Sequence, residues 1–257
     1  GPPEAATNPQ QAYGGEVFRF GEVGPALAGP VPAAAGGWAR AIDAVLGVPG
    51  VPQSATGQTT LLSGVNAQAA IGQHLTGFPN EALRDILREH SVLRQLSRRG
   101  VPARFLNAFR PRFWELSPER QWTLSATTVA NLAAGLPFFT LDDVTEGRSI
   151  YQDFTNAELI ERGFAVPPLT ADRAGAVLAR AARDGGGFTL YEYFLSDKAG
   201  HTGDAEAIAR ELVKLDAFVL ATLAALDAEL ADGRALVLLT SDHGNLEDAT
   251  TRRHTAN

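Results

Sequence analysis

Apolar residues occur along the chain in two patterns, short continuous stretches and longer stretches with helical spacing. We predict buried strands from the short ones, IDAVLGV (42–48), VPARFLNAF (101–109), GFTLYEYFL (187–195) and ALVLLT (235–240). Apolar residues three or four positions apart predict helices over 80–100, 125–136 and 171–183, and a last one that ends before Gly233. Strands that alternate with helices indicate an α/β fold with a mostly parallel central sheet and helices on both faces.

The last predicted helix has the clearest pattern. Asp204 is a suitable N-cap and Gly233 a suitable C-terminal stop. The apolar positions between them are Ile208, Leu212, Leu215, Val219, Leu223, Leu226 and Leu230. In parallel sheets, functional residues gather at the carboxyl ends of the strands. The segments that follow the third and fourth predicted strands are therefore the first places to search for a site.

Aspartate and histidine follow both of these strands. Asp197 comes just after the third predicted strand, with His201 four residues later, and Asp242 and His243 follow the fourth. His254 comes shortly afterwards, and the chain has five histidines and no cysteine. Oxygen and imidazole donors without thiolates suit Zn²⁺, Mn²⁺ or a similar ion. Alone, such an aspartate is typical of a turn or helix cap and such a histidine of a solvated surface, but the combined order favours a metal site.

The stretch QSATGQTTLLSG (53–64) begins a helix with hydroxyl side chains. A helix N-terminus of this kind can bind an anion through its backbone N–H groups. Ser54, Thr56 and Thr59 are all candidates for a nucleophile. On spacing alone, an ordinary Ser/Thr helix cap with glycine in the loop is the better explanation of the stretch.

The net charge of −7 argues against nucleic acid and against an anionic membrane as partners. No apolar run approaches the roughly 20 residues that span a bilayer. An anionic substrate would need local positive charge, for which Arg110, Arg112 and Lys198 are candidates, although solvated surface cations explain them too. The chain opens on GPPEAATNPQ and closes on RRHTAN. We therefore expect it to be truncated at both ends, which leaves open whether the protein has an N-terminal targeting signal.

The order of QSATGQT, SDKAGHTGD, SDHGNLED and RRH resembles the alkaline phosphatase superfamily of binuclear metalloenzymes. The similarity is closest to the branch of cofactor-independent phosphoglycerate mutase and phosphopentomutase, and to small bacterial metalloenzyme-domain proteins. It implies two divalent ions, Mn²⁺ or Zn²⁺, with Mg²⁺ as an alternative. By this resemblance, the ligands of one ion are Asp197, His201 and His254, and those of the other are Asp242, His243 and the Ser54 hydroxyl. A further aspartate is expected from a strand that would precede Gly1.

The resemblance implies phosphoryl transfer from a small phosphate ester through a phosphoserine at Ser54, most simply as a phosphatase. A phosphomutase and an inactive metal-binding homologue are the alternatives, the latter because Gln58 stands where the family has a histidine. A sulfatase is excluded because SATGQ lacks the required proline and arginine. A nicotinamide-dependent enzyme is excluded because no Gly-rich phosphate loop follows the first predicted strand.

We expect one α/β domain over 1–257 that lacks terminal strands, with a small cap-like insertion within 75–165. Lys198 and Arg110 are the proposed substrate contacts. Since related proteins are mostly cytoplasmic, we expect the same location. The oligomeric state is left open.

Overall fold

The computed structural model describes residues 7–19, 31–33 and 36–256. The helices are α1 (Pro9–Tyr13), α2 (Ser54–Ser63), α3 (Ala67–Ile71), α4 (Glu81–His90), α5 (Val92–Arg98), α6 (Pro118–Gln121), α7 (Ala126–Ala134), α8 (Leu141–Thr145), α9 (Ala157–Glu161), α10 (Ala171–Gly185), α11 (Leu195–Thr202), α12 (Ala205–Ala225) and α13 (Asp227–Ala231). The strands are β1 (Val31–Pro32), β2 (Trp38–Ala39), β3 (Ala103–Phe105) and β4 (Phe188–Leu190). A 3₁₀ turn covers Pro111–Phe113.

The strands β3 and β4 form a small parallel sheet within this helical framework. They pair in register from Ala103 with Phe188 to Phe105 with Leu190. Two isolated parallel bridges, Asn107 with Ile150 and Ala108 with Phe139, extend the sheet beyond β3. Helices α5 and α7 pack against β3, and α10 packs against β4. The predicted α/β class with parallel strand pairing is therefore confirmed, although the sheet is small.

The strand predicted over 187–195 is much shorter than its apolar pattern suggests. After Leu190, the side chain of Asn107 replaces the neighbouring strand, donating to the Glu192 carbonyl at 2.7 Å and accepting from the Glu192 N–H at 3.0 Å. Helix α11 then begins at Leu195. The strand predicted over 101–109 is likewise limited to Ala103–Phe105. In both cases a side chain or an isolated bridge satisfies backbone groups that a longer ladder would have paired.

The predicted helices are confirmed with small changes. The helix predicted over 80–100 is two helices, because the Ser91 side chain accepts from the Arg94 N–H and so begins α5. The first of them, α4, begins after Asn80, whose side chain accepts a hydrogen bond from the Leu83 N–H. The last predicted helix begins at its Asp204 cap, as expected, but it is interrupted at Leu226 before α13.

The strands predicted over 42–48 and 235–240 are wrong for the described structure. Residues 42–48 form bends and a turn, with Leu46 at a φ of 48° and Gly47 at 75°, and positive φ angles end an extended chain. Residues 235–240 have no strand pairing, and Leu236 and Leu238 are 87% and 80% exposed. No strand lies beside either segment within the described ranges. An apolar pattern needs a neighbouring strand to become a β-strand, and here none is present.

Buried apolar clusters fix the helices that carry the site. One cluster joins Ala199 on α11 to Ile208 and Leu212 on α12 and to Leu246 in the loop that follows Asp242. A second places Ala55 of α2 against Ala67 and Leu83. These contacts bring α2, α11 and the loop after Asp242 into fixed positions. In the ranges that the structure describes, no helix is both long and apolar enough for a bilayer crossing.

Candidate metal centre

Asp197 and His201 are one helical turn apart on α11, so both side chains lie on the same face of that helix. His254 reaches them from the end of the described chain. The Asp197 Oδ1 atom lies 3.3 Å from the Nε2 atoms of both His201 and His254. The two Nε2 atoms are 3.0 Å apart. All three side chains offer a donor atom within 4.8 Å of the others, which makes this the candidate metal triad.

Backbone carbonyls determine which nitrogen of each histidine is available to a cation. The Nδ1 atom of His201 is 2.9 Å from the Arg252 carbonyl, and that of His254 is 3.3 Å from the Pro52 carbonyl. Since a carbonyl can only accept, each Nδ1 carries a proton, and each Nε2 faces Asp197, where it can bind either a second proton or a cation. Metal-binding histidines use this arrangement, in which the outer N–H is fixed by a carbonyl or carboxylate. The triad therefore fits a divalent cation that takes nitrogen and oxygen ligands.

Ser54, Asp242 and His243 form a second group beside the triad. The Ser54 hydroxyl lies 3.1 Å from the His243 Nε2 atom, and the Asp242 Oδ2 atom lies 3.6 Å from it. The Nδ1 atom of His243 lies 3.2 Å from the Gly244 carbonyl, so that Nε2 is again the nitrogen that can bind a cation. The rings of His243 and His254 stack with centroids 3.6 Å apart. The two sets of side chains named from the sequence are thus in direct contact.

The charges of the triad depend on one another. Burial would raise the pKa of Asp197, but hydrogen bonds from His254 and Asn245 and the charge of His201 lower it to about 2. The hydrogen bond with Asp197 in turn raises the pKa of His254, against the opposing effect of burial. Asp197 therefore remains ionised at any ordinary pH and attracts a proton or a cation to His254.

Burial dominates in the second group. It raises the pKa of Asp242, while the His243 charge and a hydrogen bond from Gln58 act in the opposite direction. Burial also lowers the pKa of His243 and so keeps its imidazole neutral, as a metal ligand must be. Gln58, at the position where the resemblance implies a histidine, makes a neutral hydrogen bond to Asp242. Gly57 permits this approach, since a Cβ atom there would lie 2.7 Å from the Asp242 carbonyl oxygen.

The structure distinguishes among the three candidate nucleophiles. Thr56 and Thr59 are fully buried, and their hydroxyls donate to the carbonyls of Gln53 and Ala55. Ser54 is partly exposed, and its hydroxyl faces His243. Of the three hydroxyls, only that of Ser54 therefore lies at the metal-ligand side chains.

The helix N-terminus differs from the sequence expectation. The Leu75 carbonyl accepts from the N–H groups of both Ala55 and Thr56, at 3.1 and 3.4 Å. These amides, which an anion would otherwise use, are therefore already bonded within the protein. Positive charge for an anion has to come from side chains or bound cations.

Lys198 and Arg110 lie outside the metal-ligand group. Lys198 is 54% exposed and pairs with Glu158 of α9 at 2.5 Å. Arg110 precedes the 3₁₀ turn, and its charge partly opposes the rise that burial causes in the pKa of Tyr151. Within the described residues, neither cation makes a hydrogen bond or ion pair with the metal-ligand side chains. Their role as substrate contacts stays a prediction.

Two neighbouring residues were not identified from the sequence. Asn245 is buried and donates its side-chain amide to the Asp197 Oδ1 atom at 2.8 Å. Its side chain fills the space above Gly200, where a Cβ atom would lie 1.8 Å from the Asn245 Oδ1 atom. Glu247 is also buried and accepts from the Asn245 N–H at 2.7 Å. Both lie in SDHGNLED, so their proximity to the centre was visible in the sequence, although their hydrogen bonds were not.

Comparison with known proteins gives one match. The family model described as Metalloenzyme superfamily matches residues 170–257, which include Asp197, His201, Asp242, His243 and His254 but not Ser54. No curated protein and no solved structure matches the chain. The match is consistent with an alkaline phosphatase-like superfamily and leaves the mutase branch a prediction. Together, the family match and the metal triad indicate a metal-dependent enzyme.

Proposed function

We propose that this protein is a phosphoryl-transfer enzyme that uses two divalent cations, Mn²⁺ or Zn²⁺, and Ser54 as its nucleophile. The substrate class is a small phosphorylated metabolite, and hydrolysis is the favoured outcome. The observation that carries the proposal is the position of the Ser54 hydroxyl, 3.1 Å from the Nε2 atom of His243, whose ring stacks on His254 of the triad. A hydroxyl nucleophile beside a set of carboxylate and imidazole ligands is the combination that metal-assisted phosphoryl transfer requires.

The residues divide into two groups of cation ligands. Asp197, His201 and His254 would hold one ion, and Asp242, His243 and the Ser54 hydroxyl would contribute to the other. When bound, the cations supply positive charge that lowers the pKa of a hydroxyl and neutralises phosphate oxygens. In the proposed step, the Ser54 hydroxyl loses its proton to solvent and its oxygen forms a bond to phosphorus. The bond from phosphorus to the alcohol oxygen breaks, and the alcohol leaves with a proton from solvent.

Water access favours hydrolysis of this phosphoserine. The side chains of Asp197 and His201 are 41% and 46% exposed, so solvent reaches the triad. A mutase has to retain its substrate and exclude water while the phosphoryl group is on the enzyme. An open centre therefore favours a phosphatase over a phosphomutase, which is the second candidate.

The test combines metal analysis with catalysis. The wild-type protein is expected to bind about two Mn²⁺ or Zn²⁺ ions and to hydrolyse p-nitrophenyl phosphate only when the metal is present. The Ser54→Ala variant should retain the first ion, because none of the triad side chains changes, and should lose hydrolysis. Ser63→Ala is the matched control, since Ser63 lies in the same helix and donates to the Thr59 carbonyl away from the centre. Acid quenching should trap a phosphorylated peptide that contains Ser54.

Each outcome separates the candidate functions. Metal-dependent hydrolysis that is lost in Ser54→Ala supports the phosphatase. Metal binding without hydrolysis, but with isomerisation of a phosphosugar or phosphoglycerate, would favour the mutase. Metal binding with neither activity would indicate an inactive homologue, for which Gln58 is the structural argument. A wild-type protein that binds no metal would overturn the proposal.

A further inference from the structure

The loop that carries Asp242 and His243 and the segment that carries His254 are joined by a short backbone pairing. Gly244 and Thr255 form an antiparallel bridge in which each N–H donates to the other carbonyl, at 3.1 and 3.0 Å. Two hydrogen bonds alone are a weak constraint, since each contributes only about 1 kcal/mol in a folded protein. A further contact is needed to hold the two groups of ligands at a constant separation.

The carboxylate of Glu247 makes that contact. Its Oε2 atom accepts from the Asn245 N–H at 2.7 Å, and its Oε1 atom accepts from the Thr255 hydroxyl. Glu247 is only 5% exposed, and no lysine or arginine pairs with it within the described residues. A buried carboxylate without a cation is unfavourable unless its oxygens are hydrogen-bonded, and such charge-assisted bonds are stronger than neutral ones. The carboxylate is thus bonded on both oxygens to the two segments that carry the ligands.

Both partners of Glu247 adjoin residues of the metal centre. Asn245, whose backbone Glu247 binds, donates its side-chain amide to Asp197. Thr255, whose hydroxyl Glu247 binds, directly follows His254. Glu247 therefore influences the positions of a carboxylate and an imidazole of the triad without touching either of them.

We infer that Glu247 is a positioning residue that sets the cation affinity of the triad by fixing the loop at 242–247 to the segment at 254–255. The inference rests on the proposed metal binding. Outer residues that orient metal ligands typically change affinity by about 10–100-fold when they are replaced. Glu247 acts in this manner on Asp197 through Asn245, and on His254 through Thr255.

The experiment measures Co²⁺ or Mn²⁺ affinity by calorimetric titration, without any substrate. Glu247→Gln keeps the size of the side chain but replaces one acceptor oxygen by a donor, and Thr255→Val removes only the hydroxyl. Both variants should lower the affinity of the triad for its cation by about 10–100-fold and change the visible absorption spectrum of bound Co²⁺. Thr255→Ser restores the hydroxyl and should restore both the affinity and the spectrum. Asp248→Asn is the control, because Asp248 is the adjacent carboxylate and accepts instead from the backbone and hydroxyl of Thr250.

Folding is monitored by circular dichroism, with titrations performed well below each melting temperature. If Glu247→Gln does not fold, the Thr255→Val and Thr255→Ser pair still tests the same hydrogen bond. Lower melting temperatures with unchanged cation affinity would overturn the inference, because Glu247 would then be structural only. A wild-type protein that binds no cation would overturn the proposed function as well, so the two failures are distinguishable.

Discussion

Replacement of Glu192 by glutamine should stabilise the metal-free protein at neutral and alkaline pH. Glu192 lies just beyond β4, where its carboxylate accepts from the Thr127 hydroxyl at 2.6 Å. Burial raises its pKa to about 7, against the effect of the Thr127 hydrogen bond, and the charge of Asp242 raises it further. The folded protein therefore binds this proton more tightly than the unfolded chain does.

The sign and size of the effect follow from the difference in proton affinity. Below pH 4.5, the ordinary pKa of a glutamate side chain, Glu192 is protonated in both the folded and the unfolded state, and its burial costs no stability. As the pH rises to about 7, the unfolded chain ionises first, so the folded state loses relative stability. At about 1.4 kcal/mol for each tenfold change in proton affinity, the full penalty above pH 7 is about 3 kcal/mol. Glutamine has no charge to bury, and its carbonyl can still accept from Thr127.

Urea unfolding in the presence of EDTA measures this difference between about pH 5 and pH 8. Glu192→Gln should have nearly wild-type stability at the acidic end and should gain up to about 3 kcal/mol at the alkaline end. The exposed Glu161→Gln is the control and should show no such trend. A gain that is the same at every pH, or a variant that is less stable throughout, would refute the reasoning.

Two further predictions concern the surroundings of the metal centre. Gly200→Ala places a Cβ atom 1.8 Å from the Asn245 Oδ1 atom and should weaken cation binding, because it displaces the amide that holds Asp197. Gly175→Ala is the control: its Cβ atom would lie 2.8 Å from the Thr222 N atom where α10 crosses α12, so it should lower the melting temperature and leave cation affinity unchanged. Equal loss of affinity in both variants would contradict this. If Lys198 contacts an anionic substrate, Glu158→Gln should release Lys198 from its ion pair and lower the KM for phosphate esters, whereas Lys198→Ala should raise the KM. The value of kcat should change little in either variant, and unchanged KM values would show that Lys198 is not a substrate contact.

The two local pairs in the candidate metal centre were visible in the sequence because their spacing is short. Asp197 and His201 are one helical turn apart, and Asp242 and His243 are adjacent, so each pair is brought together by its own segment. The meeting of those segments depends on long-range contacts that no local pattern reveals. The Pro52 carbonyl that orients His254, for example, lies more than 200 positions away in the sequence.

The strand predictions show the limit of the same reasoning. The apolar run at 235–240 satisfies every local criterion for a buried strand, yet Leu236 and Leu238 are largely exposed. Strand formation requires hydrogen-bond partners on a neighbouring chain segment, so a local pattern gives only the capacity to form a strand. Helices satisfy their own backbone, and for that reason α7 and α10 were predicted within a few residues of their actual ends, and α12 begins at its predicted Asp204 cap. The cap-like insertion within 75–165 stays a prediction.

Under the proposed function, the electrostatics of the centre would explain how an acidic protein binds an anionic substrate. Asp197, with its pKa of about 2, retains its negative charge, and the same carboxylate raises the pKa of His254. The site is therefore most stable when positive charge lies between these groups, whether a proton or a metal ion supplies it. A divalent cation there would exceed the carboxylate charge by one unit, and the second ion of the proposed function, near Asp242, would add to this excess. Since the Leu75 carbonyl already accepts from the N–H groups of Ala55 and Thr56, and Glu158 pairs with Lys198, this cationic charge would be the principal attraction that the described centre offers a phosphate group.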